Sequence, residues 1–299
     1  MSKPKVIWLQ SISCNGNSHS FLNHSELFGV LEHLELLYHP LLETPYGLEA
    51  LFEKSLACDI LILEGSFRKE GFKKLGEEVF NVAYHYATLA KHIVTVGSCA
   101  SFGGVFQAYD PEAITGFCFN GEQPTPLYEQ FSSKLITLSG CPIHPKWLSF
   151  VLMSLAKSLP LPLDSLHRPE ELYASTVHSG CSRNEYFEWK VDAKQFGQKE
   201  GCLFYEQGCQ APFTAGSCNK ILWNESSSKT RVGTPCFGCT SPSFPKKGLF
   251  TTPKNMGIPA SMPTGVPRRA YLTATGIAKS FTIPRLEGRL FTYEMAQKD

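Results

Sequence analysis

The sequence predicts an α/β protein: a doubly wound parallel sheet in the first half and a loop-rich domain in the second. Three observations carry this. Short, wholly apolar runs alternate with helical patterns up to about residue 157. Beyond about Leu159, prolines thicken and regular periodicity fades. Cysteines, eleven in all, follow the strands of the first half and crowd the loops of the second.

The elements follow in order. Lys5-Val6-Ile7-Trp8-Leu9, Asp59–Leu63, His92–Val96 and Leu135–Leu138 read as strands. Continuous apolar runs of this length suit strands buried on both faces of a parallel sheet. Helical patterns are expected over Ser25–Leu37, Gly71–Lys91 and, after Pro145, Lys146–Lys157. Alternation of this kind implies right-handed crossovers. Pro160, Pro162 and Pro169 suggest a linker, so the expected domains are residues 1–160 and 161–299. Pro235, Pro242, Pro245, Pro253, Pro259, Pro263 and Pro267 exclude long helices through that stretch.

Composition narrows the function. A chain of 299 residues can bury a sizeable core without disulfide staples. The net charge of +1 argues against nucleic acid as a main partner. No run approaches the eighteen apolar residues of a membrane span, and MSKPKVIWLQ lacks a signal-peptide pattern and a twin arginine. A cytoplasmic location is expected, with peripheral attachment to a membrane through a partner left open. In a reducing compartment, eleven cysteines point to metal rather than disulfides.

In an open α/β sheet, ligands bind at the carboxyl ends of the strands. Cys14, Cys99 and Cys141 each follow a strand and sit close to glycine. The second half offers His178 with Cys181, Cys202 and Cys209, and then Cys218 with Cys236-Phe237-Gly238-Cys239. A Cys-x-x-Cys pair turns two thiolates toward one centre, as zinc and iron–sulfur sites both require. Structural zinc wants four ligands, while two of these sets offer three cysteines only, which is natural for a 3Fe–4S cluster. Cys58 and Cys118 are left over as core residues.

These segments resemble the small, electron-transfer subunit of nickel–iron hydrogenases. The likeness runs from Ile7 to about Ser280 through WLQSISCNGNSHSFLN, ILEGSF, VGSCASFGGV, LSGCPIHP, HSGCSRNEYFE, GCLFYEQGCQAP and CNKILWN…TPCFGC. It implies a flavodoxin-like N-terminal domain and a C-terminal domain wrapping two further clusters. It implies a proximal cluster on Cys14, Cys99 and Cys141, a distal 4Fe–4S cluster on His178, Cys181, Cys202 and Cys209, and a medial 3Fe–4S cluster on Cys218, Cys236 and Cys239. Where the family has a further proximal cysteine this chain has Asn17. The amide is a poor donor to soft iron–sulfur centres, so the expectation is a proximal 3Fe–4S cluster; the alternative is 4Fe–4S completed weakly by Asn17 or water. Where a fourth medial ligand would stand is Ser228. Glu64, Gly65, Gly97, Gly103 and Gly140 are expected to shape the proximal pocket, and Phe102, Phe204 and Trp223 to shield clusters. A tail with Arg268, Arg269 and Lys279 is expected to run along the large subunit.

The spelling CNGNSHSFLN is similar to the cytosolic uptake branch of the family, the cyanobacterial and high-affinity enzymes. The resemblance implies hydrogen oxidation at a nickel–iron site in a separate large subunit, with none of the catalytic residues in this chain. Electrons would leave through three clusters to an unidentified acceptor near His178, in a higher oligomer of heterodimers. A hydrogen-sensing regulatory subunit is the alternative within the family. A zinc-stabilised, non-redox binding module is the alternative of another class.

Overall fold

The computed structural model describes residues 3–279; Ser280 and the remaining tail lie outside the described residues. The chain forms two compact units, one of residues 1–174 with Cys239–Pro245, the other of Ser175–Gly238 with Lys246 onward.

The first unit is built on five parallel strands: β1 (Lys5–Gln10), β2 (Glu35–Tyr38), β3 (Ile60–Glu64), β4 (His92–Val96) and β5 (Leu135–Leu138). Their order across the sheet is β2-β1-β3-β4-β5, the flavodoxin arrangement. Every residue of β3 and β5 is buried, as the apolar runs require. Each fully buried Leu, Ile or Val contributes roughly 1.5–3 kcal/mol.

The helices that position the strand-end loops are α1 (Gly16–Leu22), α2 (Val79–Leu89), α3 (Gly97–Phe102) and α4 (Pro145–Ala156). In α2, Val79, Val82, Ala83, Tyr86 and Ala87 are buried, the spacing of one apolar helix face. In α4, Pro145 stands at the first helical position and His144 Nδ1 accepts the Lys146 N–H at 3.2 Å. Cys58 and Cys118 lie in the core of this unit, in contact with the apolar face of the sheet. Burial pushes both thiols up to about 12.

Three expectations are corrected here. The helix expected over Ser25–Leu37 is only Leu27–Leu31, followed by β2. Glu35-Leu36-Leu37-Tyr38 pairs with Lys5, Val6 and Ile7 of β1, and the sheet's hydrogen bonds override helical periodicity. The helix expected from Gly71 begins at Val79, because Lys73–Lys74 folds back on Glu77–Glu78 through Leu75 and Gly76, both at positive φ. The Pro-rich stretch after Leu159 is not a free linker. Asp164 pairs with Arg168 at 2.8 Å, Arg168 stacks over Tyr173, and the Tyr173 hydroxyl donates to Ser139 O at 2.7 Å. These contacts carry the first unit to Ala174.

The second unit has little regular structure. It contains short helices, a two-residue ladder between Lys254–Asn255 and Ile258–Pro259, and a helix over Arg268–Lys279. Its buried cluster contains Cys202, Cys209 and Cys236 alongside Val177, Ala193, Leu203, Phe204, Ala211 and Tyr271. Among the described residues no helix is long and apolar enough to cross a membrane.

Candidate metal centres

Three strands of the first unit deliver Cys14, Cys99 and Cys141 to one edge of the sheet. Cys14 follows β1, Cys99 lies in the first turn of α3 after β4, and Cys141 follows β5. The loops are cross-tied beside the sulfurs. Ser98 N–H donates to Gly140 O at 2.8 Å, and Gly140 N–H donates to Ser98 Oγ at 3.0 Å. Cys99 and Cys14 lie within electrostatic reach of each other. Burial pushes the Cys99 thiol up, while hydrogen bonds from Val105, Ser66 and Phe106 oppose the rise.

Two glycines make the approach possible. A Cβ on Gly104 would meet Cys99 Sγ at 2.9 Å, and one on Gly97 would collide with the Asn17 side-chain amide. Both have positive φ, +54° and +82°, which L side chains rarely adopt.

Asn17 is buried, and its side-chain amide is committed at both ends. Nδ2 donates to Val96 O at 3.3 Å and Oδ1 accepts the Ile143 N–H at 2.9 Å. Its position thus clamps α1 to the chain leaving β4 and β5. Glu64, at the end of β3, is wholly buried. Its Oε2 accepts from Trp8 Nε1 at 2.9 Å, Gln10 Nε2 at 3.0 Å and Ser18 Oγ at 2.6 Å. Oε1 accepts the backbone N–H of Asn17 at 3.0 Å and of Ser18 at 3.3 Å, capping the start of α1. Burial alone would push the carboxyl up, but bonds from Ser18, Gln10 and Trp8 outweigh it and hold it below the usual carboxylate range.

In the second unit Cys181, Cys202 and Cys209 lie within electrostatic reach of one another. Backbone N–H groups are aimed at their sulfurs: Arg183 N–H at Cys181 Sγ, 3.4 Å; Phe204 N–H at Cys202 Sγ, 3.4 Å; Cys236 N–H at Cys209 Sγ, 3.3 Å. Burial pushes Cys202 up to about 12 and Cys209 to about 11. His178 is half-buried, packs edge-on to Phe187, and is pushed down by burial, which keeps a neutral ring nitrogen for a metal. Of the three cysteines expected as medial ligands, Cys218 and Cys236 belong to the second unit and Cys239 to the first. Gly238 N–H lies 3.4 Å from Cys236 Sγ. The Ser228 hydroxyl is buried with no hydrogen-bond partner among the described residues.

The donors offered are soft sulfurs, the kind that iron–sulfur clusters take. None of the eleven cysteines is in a disulfide. Among the described residues, no three His, Cys, Asp or Glu groups converge closely enough to hold one metal ion. Soft sulfurs, N–H groups aimed at them and low-polarity surroundings are the features that tune bound clusters.

Sequence reasoning missed the partners of Glu64 and the buried Arg183. The alternation of Trp8 and Gln10 on one face of β1 was a usable signal for the first. A lone charge two residues past Cys181 was a weak one for the second.

Residues 14–155 match the family described as NADH ubiquinone oxidoreductase, 20 Kd subunit, and residues 173–251 match the family of the C-terminal region of NiFe/NiFeSe hydrogenase small subunits. The chain is 30% identical over 274 residues to the uptake hydrogenase small subunit of Cupriavidus necator, covering 83% of this chain and 72% of that one. It is 28% identical to the periplasmic [NiFe] hydrogenase small subunit of Solidesulfovibrio fructosivorans, over 81% of this chain and 79% of that one. A reduced, active Ni-Fe-Se hydrogenase from Desulfomicrobium baculatum superposes with a TM-score of 0.68 at 26% identity, covering 84% of this chain and 99% of that one. The actinobacterial-type NiFe-hydrogenase of Ralstonia eutropha H16, at 21% identity, shares the fold with a TM-score of 0.70 over 98% of this chain and 96% of that one.

Fold and cysteine arrangement define an iron–sulfur oxidoreductase subunit. The chain belongs to the small subunits of nickel–iron hydrogenases. Chains of this family partner a large subunit that holds the active site.

Proposed function

We propose that this chain is the electron-relay subunit of a hydrogen-uptake enzyme, serving a nickel–iron large subunit from the cytoplasm. The observation that carries it is the delivery of three cysteines, none in a disulfide, to one sheet edge by β1, β4 and β5, while the second unit builds Cys202, Cys209 and Cys236 into its buried core. Cys14, Cys99 and Cys141 would hold the proximal cluster. His178, Cys181, Cys202 and Cys209 would hold the distal one, and Cys218, Cys236 and Cys239 the medial one. Bound there, such clusters carry single electrons at potentials set by ligands, hydrogen bonds and burial.

The chain's own residues prepare the sites. Asn17 spends both ends of its amide on Val96 and Ile143, which supports a three-thiolate, 3Fe–4S proximal cluster over one completed by the amide. Glu64 fixes the start of α1, and so the loop bearing Cys14, through five hydrogen bonds. The unpartnered Ser228 hydroxyl is a poor substitute for thiolate, in keeping with a medial 3Fe–4S cluster. A cluster short of one iron holds its electron at higher potential, which favours uptake over evolution. The likeness to an enzyme named for uptake points the same way.

Low-temperature EPR of the oxidised heterodimer, with spin counting and iron and sulfide analysis, tests the reading. Two 3Fe–4S signals and about ten irons per chain are expected. One such signal overturns the proximal assignment, and zinc without iron overturns the relay. Efficient proton reduction at low potential in film voltammetry overturns the uptake direction.

A further inference from the structure

Arg183 carries a charge that the fold leaves without a carboxylate. It is only 4% exposed. Its three guanidinium nitrogens donate to backbone carbonyls alone: Nε to Thr230 O at 2.7 Å, Nη1 to Gly201 O at 2.7 Å and Nη2 to Gln198 O at 2.6 Å. Among the described residues no Asp or Glu pairs with it. Burying a cation against neutral acceptors only is costly, and an anion is the usual remedy.

The neighbours supply the candidate. The backbone N–H of Arg183 donates to Cys181 Sγ at 3.4 Å, and Gly201, held by the guanidinium, directly precedes Cys202. The guanidinium also lies within electrostatic reach of Cys202 and Cys209. Lys190 reaches Cys202 as well, but it is only half-buried and has Asp192 and Glu188 beside it. Arg183 is therefore the cation that the distal cysteines themselves must balance. Neutral thiols cannot do so; thiolates around iron can.

We propose that Arg183 is the counter-charge of the distal iron–sulfur cluster, stabilising its extra negative charge on reduction and raising its reduction potential. The inference rests on the reading of Cys181, Cys202 and Cys209 as distal ligands. In that role Arg183 makes the last carrier a ready acceptor, which supports flow away from hydrogen. A plain structural tie between three loops would use the same hydrogen bonds but leave the potential unmoved.

The test is an EPR-monitored redox titration of the distal cluster in the intact heterodimer, with Arg183→Gln and Arg183→Lys beside the wild type and iron and sulfide measured in each. Arg183→Gln is expected to lower the reduced-to-oxidised ratio at fixed potential about tenfold, equivalent to ~59 mV for one electron. Arg183→Lys, which keeps the charge, is expected to shift it less than about threefold, ~28 mV on the same scale. An unshifted potential in Arg183→Gln with the cluster complete overturns the proposal, and so do equal shifts in both variants. Should Arg183→Gln lose the cluster while Arg183→Lys keeps it, the charge requirement stands; loss in both marks a purely structural tie and overturns it. A wild type with no distal cluster at all refutes the reading of the ligands instead.

Discussion

The two units place cysteines by opposite strategies. In the first, Cys14, Cys99 and Cys141 sit beyond the strand ends, outside a core of mainly Ile, Leu, Val, Ala and Phe whose two cysteines, Cys58 and Cys118, belong to none of the three sets. In the second, Cys202, Cys209 and Cys236 are themselves part of the buried cluster, among short helices and turns. A parallel sheet satisfies its own backbone and needs metal only for function. A loop-rich unit has fewer internal hydrogen bonds and less apolar area, so a bound group supplies much of its organisation.

The comparison can be broken most directly by removing iron. Chelation under reducing conditions is expected to abolish hydrogen-exchange protection across Ser175–Gly238 while β3 and β4 remain protected. Equal loss in both units would erase the distinction.

Within the first unit, the next largest effect is expected from Glu64→Gln. The new amide sets an N–H₂ against Trp8, Gln10, Ser18 and Asn17, all donors to the carboxylate. A cost of about 3 kcal/mol follows from unsatisfied buried donors and the lost charge, read as faster exchange at Ile60–Glu64. A change below about 0.5 kcal/mol would show the cage to be dispensable.

His39 gives the first unit an acid limit of its own. It is buried edge-on to Trp8, its Nε2 has no hydrogen-bond partner among the described residues, and burial pushes it down to about 4 from 6.5. Below pH 6.5 the unfolded chain takes up a proton that the folded chain refuses, so stability is full above that pH and is lost as pH falls toward 4. The loss is about 2 kcal/mol at pH 5. Urea midpoints followed by tryptophan fluorescence should show this slope in the wild type and a flatter one in His39→Phe. Identical slopes would remove His39 from the account.

The smallest effect is expected at the surface. Lys91 pairs with Asp59 at 2.9 Å, but the lysine is 75% exposed. Lys91→Ala should cost less than about 0.5 kcal/mol in the same urea measurement, and a larger loss would mean that sheet-edge charges matter more than this comparison allows.

Much of this was legible residue by residue. Lys5–Leu9, His92–Val96 and Leu135–Leu138 are strands because apolar β-formers in a row have nowhere else to go. β2 was not legible, since Glu35–Tyr38 reads as the end of a helix until β1 is there to pair with it. The grouping of Cys14, Cys99 and Cys141 at one sheet edge was visible through their places after strands and beside glycines. The clamp made by Asn17 was not, because its partners Val96 and Ile143 lie 79 and 126 residues away.

By itself, then, the sequence determined four of the five strands, that the cysteines fall into groups of three, and that position 17 lacks a thiol, because these depend on residue type and local order. Only the tertiary structure decided that the Asn17 amide is used up on backbone, that Glu64 stays ionised at the sheet's centre, and that Arg183 is buried without a carboxylate. Each of those depends on which distant donors and acceptors a closed core brings within 3 Å or so, and no local pattern in the chain encodes that distance.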